Sequence, residues 1–363
     1  MNGAIRLVAR RELTERIRER SFLISTGITL AIVIVVLVLP TLLGFGGPNE
    51  YTIAAGDARG QAVAERAVAI SKEFDAKVSI VRSDADATVA GGKVHAEDTP
   101  DDKLLSILQV ANQQVQSSAP PPLVVVTTKP EDPDRDAKAG LAFFTILILY
   151  GQLLTYGFWV ATGVVEEKSS RVIEILLAAI RPKDLLAGKV LGLGLLGLGQ
   201  LLIVAAFGLV VAGASGSLTI DGNLLVAIAL SLVWFVLGYA FYASAYAVAG
   251  ALVPRQEEIQ SSTTPLTMLI LVSLFAGFAV NENPDGTLGH VTAFIPPMAP
   301  VTMPSRIILG AAPAWEIAAS VALMIASTLL LIPFAGRIYA AVVLRTGSAV
   351  KLRDAIALAR AQK

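Results

Sequence analysis

The chain alternates between long uncharged stretches and short segments rich in charge. Residues 140–165 and 190–220 contain no Asp, Glu, Lys or Arg. Each stretch is longer than the about 20 apolar residues that cross the hydrocarbon core of a bilayer. Between them lies VVEEKSSRVIEILLAAIRP, residues 164–182, with three carboxylates and three basic groups. The pattern predicts membrane-spanning helices joined by a charged connection.

The hydrophobic pattern predicts an α-helical integral membrane protein with six transmembrane helices. The first is predicted at residues 22–45, and the other five within residues 140–345. Their predicted apolar cores are 141–165, 190–212, 224–252, 265–280 and 317–344. The fifth core is short for a span.

Composition agrees with a membrane protein. Hydrophobic residues make up 54% of the chain and charged residues 16%, whereas about 25% charged residues are usual in soluble domains. The mean hydropathy is +0.66. The absence of cysteine excludes disulfides, thiolate metal sites and cysteine nucleophiles from this sequence.

The basic residues indicate an orientation, because short cytoplasmic loops carry an excess of Lys and Arg. Outside residues 46–139, every Lys and Arg except Arg306 falls on one side of a six-span topology. We therefore expect both termini, including the tail 346–363, the charged connection and the loop around Arg255 to be cytoplasmic. The protein is expected in the inner (plasma) membrane of a bacterium as a multi-pass protein.

Residues 1–21 show helical periodicity. Apolar residues recur at steps of three and four, and arginines fill the other positions; the apolar set is Ile5, Val8, Ala9, Leu13 and Ile17. One interpretation is an amphipathic helix on the inner membrane surface, with its arginines facing anionic lipid. The alternative is a positively charged anchor that only sets the topology.

Residues 46–139 are expected to form an extracytoplasmic α/β domain. YTIAAGD (51–57), KVSIVR (77–82) and PLVVVTT (122–128) have the pattern of strands, and residues 62–74 that of an amphipathic helix. The segment carries more carboxylates than basic groups, which suits a solvated exterior.

Motifs for catalysis and nucleotide binding are missing from the sequence. It has no HExxH, and neither GGK (91–93) nor AGK (187–189) continues into the Ser or Thr of a P-loop. We predict a protein that is not an enzyme, with no catalytic residues, no metal site and no cofactor in this chain. Glu316 and Arg337 are expected near the ends of the last helix, where they reach the headgroups. The otherwise uncharged spans argue against an ion-coupled carrier.

The charged connection is predicted to form an amphipathic helix within residues 166–186. Its apolar stripe is Val172, Ile175, Leu176 and Ala179, at helical spacing. Glu167 and Arg171 are expected to form an i,i+4 ion pair, with Glu174 on the same face and Pro182 ending the helix. The alternative is a solvated loop.

Four prolines follow the fifth predicted span in IPPMAPVTMP, residues 295–304. Each proline removes a backbone donor, and irregular backbone at membrane depth survives only inside protein or around a cavity. This predicts an outer re-entrant segment at residues 290–310, with an ordinary outer loop as the alternative.

The run VVEEKSSRVIEILLAAIRPKDLLAGKVLG (164–192) closely resembles the signature of NatB-like, type V ABC exporter permeases. Four more segments resemble that family in the same order along the chain: residues 8–22, 250–265, 295–310 and 337–347. The resemblance covers the whole membrane part. It implies the transmembrane subunit of an ATP-driven exporter, which receives its energy from a separate ATPase chain.

The resemblance also implies site residues and partners. The residues expected to contact the ATPase are Glu166, Glu167, Lys168, Arg171 and Glu174, with Arg255, Glu257 and Glu258 in a second cytoplasmic loop. The residues expected at an outer gate are Asn281, Pro296, Pro297, Pro300, Pro304 and Arg306. The implied partners are ABC ATPase subunits that bind ATP and Mg, a second permease copy or paralogue in a homo- or heterodimer, and membrane lipid, but no nucleic acid.

Two alternatives stay open on the sequence alone. One is a sodium-exporting NatB-type subunit. The other is a membrane-anchored sensor whose outer domain binds a ligand. The cargo is equally open, since relatives within this family export drugs, lipids, peptides or polysaccharides.

Overall fold

The computed structural model describes residues 3–43, 49–74, 76–82, 85–96, 100, 102–115, 124–127, 135–169, 180–215, 222–342 and 349–361. The chain divides into two compact units. The larger unit consists of residues 1–39 and 134–363, and the smaller unit of residues 40–133.

The larger unit is helical throughout its described secondary structure. Its helices, in chain order, are α1 (Gly3–Ile17), α2 (Arg20–Leu43), α5 (Arg135–Ser169), α6 (Pro182–Ser215), α7 (Gly222–Leu252), α8 (Ile259–Glu282), α9 (Thr287–Ala293), α10 (Ala299–Ile308), α11 (Ala314–Val342) and α12 (Leu352–Ala361). The labels α3 and α4 belong to the smaller unit. A 3-10 turn at Gln256–Glu258 precedes α8.

Among the described residues, five helices are long and apolar enough to cross a membrane. These stretches are Lys138–Ser169, Pro182–Val211, Gly222–Leu252, Gln256–Glu282 and Ala314–Val342. In α2, which holds the first predicted span, the apolar stretch found is shorter, Arg20–Val35. The first predicted span, residues 22–45, therefore stays a prediction.

Two predicted boundaries differ from the structure. The fifth span was predicted to start at Pro265, yet α8 begins at Ile259 and contains that proline, because apolar helices tolerate the loss of one backbone hydrogen bond. The predicted helix 166–186 is not a single element. Its first four residues end α5, and its last five begin α6 at Pro182. Residues 170–179, with the predicted apolar stripe, lie outside the described residues.

Helix α7 lies at the centre of the larger unit. It contacts α5, α6, α8, α10 and α11. Aromatic side chains fill the space between α5 and α7, where Tyr156 lies edge-on to Tyr239 with ring centroids 6.4 Å apart, and Phe235 stacks on Tyr239. These rings, with Tyr242 and Tyr246, are buried in one continuous core.

Helix α1 packs closely against the first turns of α6. Val8, Ala9 and Glu12 of α1 are buried, and glycines of α6 face them. A Cβ atom at position 188 would lie 2.6 Å from Val8 Cβ, and one at position 192 would lie 2.7 Å from the Ala9 carbonyl oxygen. The predicted apolar face of α1 is wrong in part, since Ile17 is 45% exposed. The buried face instead includes the carboxylate of Glu12.

We expect Gly192→Ala to destabilise the larger unit by about 1–3 kcal/mol, because the added methyl group has no room against the α1 backbone. Gly199→Ala in the same helix is the matched control, since a Cβ atom there meets nothing within 4 Å. The control should be neutral, or stabilising by up to about 1 kcal/mol through helix propensity. Thermal unfolding in detergent measures both. Equal melting temperatures for the two variants would contradict the close α1–α6 contact.

The smaller unit contains a five-stranded sheet with the order β2-β1-β3-β4-β5. The strands are β1 (Asn49–Ala55), β2 (Ala76–Ile80), β3 (Ala87–Ala90), β4 (Lys93–Ala96) and β5 (Val124–Thr127), and the helices are α3 (Ala58–Ile70) and α4 (Asp102–Val115), with a 3-10 turn at Ser71–Phe74. All neighbouring strands run parallel except β3 and β4. Ile53 and Val89 of the sheet, with Ile107 of α4, belong to one buried core.

The turn after β1 is fixed by Asp57. This residue caps α3 by accepting a hydrogen bond from the Gly60 amide, and it also accepts one from the Gly91 amide at 2.7 Å. Both amides lower the pKa of Asp57, Gly91 most strongly. Gly91 and Gly92 have positive φ angles, which allows the tight β3–β4 hairpin. The sequence had indicated neither this hairpin nor α4.

Candidate functional site

The charged end of α5 is where the predicted ATPase-contacting residues begin. Helix α5 continues past its uncharged stretch through Glu166, Glu167 and Lys168. Consecutive residues of an α-helix point about 100° apart. The three charges therefore face three different surroundings, which the structure distinguishes clearly.

Glu167 points into the protein and joins a buried ion cluster. Its carboxylate lies 3.2 Å from Lys189 Nζ of α6, and its side chain is 15% exposed. Lys189 also donates to Glu12 of α1 at 2.7 Å, with both side chains nearly enclosed. One ammonium group thus connects α1, α5 and α6. The expected partner of Glu167, Arg171, lies outside the described residues, as does Glu174.

This cluster, formed by Glu12, Glu167 and Lys189, holds two carboxylates around one cation. Taking such charges out of water costs several kcal/mol per ion, and close pairing must offset that cost. Within the described part of the chain, Glu167 Oε2 and the Tyr339 hydroxyl are buried without a hydrogen-bond partner. Lys189 is the cation that pairs with both carboxylates of the cluster, so their burial depends on it.

Lys168 has a structural role in the larger unit. Its side chain is 2% exposed, and Nζ donates to the Ala251 carbonyl oxygen at 2.7 Å. That carbonyl belongs to the last turn of α7, where a cation also interacts favourably with the helix dipole. The next carbonyl, of Leu252, accepts from the Val350 amide before α12 at 2.9 Å. Lys168 was expected to contact the ATPase, but its side chain is buried inside the larger unit instead.

Glu166 is the member of the three that faces outward. Its side chain is 46% exposed and lies 3.6 Å from Arg16 of α1. It also accepts a hydrogen bond from Gln256 Nε2 at 3.3 Å. Arg16 itself bonds Glu19 and lies over the ring of Trp159, 5.5 Å from its centroid.

The loop after α7 completes an outward-facing patch. Arg255 and Glu257 are exposed beside Gln256, and Glu258 is half-buried. Buried Ile259 anchors the loop at the start of α8. We call Glu166, Arg255, Gln256 and Glu257 the exposed patch. Exposed ion pairs contribute only about 0–1 kcal/mol, so these groups can exchange their weak contacts for those of a partner at little cost.

The predicted re-entrant segment, residues 290–310, includes the end of α9 and the whole of α10, so its backbone is not irregular throughout. Pro300 and Pro304 both lie in α10, because a proline in the first helical turn loses no hydrogen bond and a later one loses a single bond. Pro296 and Pro297 lie in the turn before α10, where the Pro297 carbonyl accepts from Tyr242 at 2.7 Å. Asn281 accepts a hydrogen bond from the Ser305 hydroxyl at 3.3 Å and donates one to the Ala139 carbonyl at 3.4 Å.

Arg306 is enclosed in the protein and does not line an open pathway. Its side chain and that of Glu316 are both 0% exposed, and the two form an ion pair. Arg306 also donates to three backbone carbonyls, those of Pro284, Gly289 and Ala311, and approaches His290 Nδ1 at 3.3 Å. The expectation that Glu316 reaches the headgroups is wrong, since it neutralises Arg306 instead. Arg337 is exposed, and its contact with the headgroups stays a prediction.

Sequence reasoning missed Glu12, Arg16 and Lys189, which organise the charged end of α5. One signal was present, because Lys189 is the last charge before the uncharged residues 190–220. Within the described residues, no group of three or more His, Asp or Glu side chains is arranged to hold a metal ion.

Residues 67–337 match the family described as ABC-2 family transporter protein. The chain is 31% identical over 235 residues to Uncharacterized protein YhaP of Bacillus subtilis, covering 61% of this chain and 56% of that protein. It is 26% identical over 182 residues to Uncharacterized protein MJ1024 of Methanocaldococcus jannaschii, covering 50% of this chain and 44% of that protein. The chain thus matches about half the length of these relatives. No solved structure matches it significantly.

Proposed function

This chain belongs to the ABC-2 family of transporter proteins, and we propose that it exports a substrate with energy from a separate ATPase that docks on the exposed patch. Family membership makes it a multi-pass membrane permease subunit of an ABC transporter. The predicted ABC permease family is thereby confirmed at this level. Its NatB-like subclass, the export direction and the docking site belong to the proposal.

One observation supports the proposed docking site most strongly. At the end of α5, two of three consecutive charges are fixed inside the protein, whereas Glu166 stays outside beside Arg255 and Glu257. Glu167 pairs with Lys189 of α6, which also pairs with Glu12 of α1. Lys168 donates a hydrogen bond to α7. A force applied at Glu166 is therefore passed to four helices at once. This arrangement suits the entry point of an ATPase-driven motion.

The proposed topology follows from the distribution of basic residues. With six spans, the exposed patch and both termini lie in the cytoplasm of a bacterial cell, and the smaller unit and α9 lie outside. In this orientation α9 and α10 form the outer re-entrant segment, and the buried Arg306 cluster holds it against α11. Members of the family partner with ABC ATPases, and we propose two permease copies, or a copy and a paralogue, in each transporter.

Charge reversal in the exposed patch tests the docking site. We expect Glu166→Lys combined with Arg255→Glu to reduce co-purification of the partner ATPase at least about tenfold. Charged groups at an interface control encounter and specificity, and like charges placed against each other repel. Co-purification with a tagged chain and the ATP hydrolysis rate of the complex are the measurements.

Glu282→Lys is the matched control, because Glu282 is exposed at the opposite end of α8. It should retain the ATPase in full. Both variants should melt like the wild type, since they alter exposed side chains. Normal ATPase retention by the double variant would contradict docking on the exposed patch. Failure of the wild-type chain to retain any ATPase would contradict the proposed energy source.

A further inference from the structure

The middle of α1 lies at the boundary of the hydrocarbon core. Lys189, in α6, is the last charged residue before the uncharged stretch of residues 190–220, so this boundary is near Lys189. Glu12, at the middle of α1, accepts a hydrogen bond from Lys189 Nζ at 2.7 Å. The two residues must therefore lie at the same depth.

The second half of α1 lies at the same boundary. Arg16 lies 3.6 Å from Glu166, which directly follows the uncharged residues 140–165 of α5. Arg20, which begins α2, is the last charge before the uncharged residues 21–49. Two further helices thus place α1 at the level of the headgroups, along the edge of the apolar core.

The face of α1 that points away from α6 carries arginines. Arg6 and Arg10 of α1, with Arg18 in the turn directly after it, are exposed, and no ion pair involves them within the part of the chain that the structure describes. Leu7 protrudes among them, 69% exposed. Arg11 also lies on this side but pairs with Glu15 at 2.9 Å.

We propose that this arginine face of α1 binds anionic phospholipid. A guanidinium group donates two parallel hydrogen bonds to a phosphate group, and an apolar residue between basic ones enters the headgroup–acyl boundary. In the proposed topology the face meets the cytoplasmic leaflet, where anionic lipids attract basic segments. An acidic protein surface would also attract arginines, but it does not explain an exposed leucine at headgroup depth.

Bound lipid would act on the exposed patch through α1. The opposite face of the helix is fixed to α6 by Glu12, which pairs with Lys189, and by the close glycine contacts. Lys189 also forms an ion pair with Glu167 of α5. Holding α1 at the membrane surface therefore holds the charged end of α5. The inference goes beyond the proposed function, since lipid binding needs no ATPase.

Lipid binding is tested on the purified full-length chain in a neutral detergent. Native mass spectrometry follows titration with dioctanoyl-phosphatidylglycerol, and dioctanoyl-phosphatidylcholine is the uncharged reference. We expect the wild type to prefer phosphatidylglycerol. The triple variant Arg6→Gln, Arg10→Gln, Arg18→Gln should bind it about 100-fold more weakly, since each basic residue near a surface strengthens binding several-fold.

Two further variants make the test specific. Lys351→Gln, Arg353→Gln, Arg360→Gln removes two exposed cations from α12 and one from the residue directly before it, and should keep the preference for phosphatidylglycerol. Replacing Arg6, Arg10 and Arg18 by lysine keeps the charge but loses the paired hydrogen bonds, and should give an intermediate affinity. This lysine variant also checks that weaker binding does not reflect misfolding.

The proposal is overturned if the wild type shows no preference for phosphatidylglycerol, or if the α1 and α12 glutamine variants lose it equally. It is also overturned if the α1 glutamine variant binds lipid normally but no longer retains the ATPase, because the face would then be a protein interface. Because the titration contains no ATPase, a negative result leaves the proposed docking site standing.

Discussion

Replacing Glu316 by glutamine is expected to lower the free energy of unfolding of the larger unit by about 3–5 kcal/mol. The substitution keeps the shape of the side chain but leaves the Arg306 guanidinium without a counter-charge. Arg306 is 0% exposed, so water cannot replace the carboxylate. Denaturation in mixed micelles, followed by tryptophan fluorescence, measures the loss.

Glu282→Gln is the matched control for this prediction. Glu282 is an exposed carboxylate at the end of α8, and its neutralisation should change the free energy of unfolding by less than about 0.5 kcal/mol. Arg306→Met combined with Glu316→Met should recover part of the loss, because it removes both charges. Recovery stays partial, since the Pro284 and Ala311 carbonyls lose their donor. Equal stability of Glu316→Gln and wild type would show that the pair is not buried.

Lys189→Met is expected to be similarly destabilising, by about 3–5 kcal/mol, because it leaves Glu12 and Glu167 buried without their shared cation. The three helices joined by this ammonium group should separate more easily. We therefore also expect faster amide hydrogen exchange in α1. The ATPase activity of the complex should fall, since Glu167 no longer fixes the end of α5.

Lys183→Met is the control for Lys189, because Lys183 is exposed in the first turn of the same helix. It should leave stability and exchange unchanged. Replacing Glu12, Glu167 and Lys189 together by methionine should restore much of the stability, because a buried ion cluster can be exchanged for apolar side chains of similar size. The same triple variant should not restore full ATPase coupling. Lys189→Met with wild-type stability would contradict the cluster.

The positions of the long helices could be predicted because the membrane constrains their sequence so strongly. Uncharged runs located α5, α6, α7 and α11 to within a few residues at most ends. The start of α8 was missed because Pro265 resembles a helix boundary, although it lies inside the helix. The first two turns of α6 were missed for a related reason, since Pro182 begins that helix.

The partners of the charged residues could not be predicted from local spacing. Lys189 and Glu12 are separated by 177 positions in the sequence, and no periodicity connects them. Spacing instead suggested a pair between Glu167 and Arg171. Burial also separates neighbours that look alike in the sequence, since Glu166 is exposed while Glu167 is enclosed. Only the packing of α1 and α6 against α5 distinguishes the two carboxylates.

A cross-link from the exposed patch to the ATPase is the most direct test of ATPase docking at the end of α5. The chain has no cysteine, so Glu166→Cys can be labelled uniquely with a maleimide photo-cross-linker in the assembled transporter. Glu282→Cys is the control, at the other end of a helix of 24 residues, about 35 Å away along its axis. We predict a cross-link to the ATPase from position 166 and none from position 282. Cross-linking from position 282 but not from position 166, in an intact complex, would contradict ATPase docking on the exposed patch.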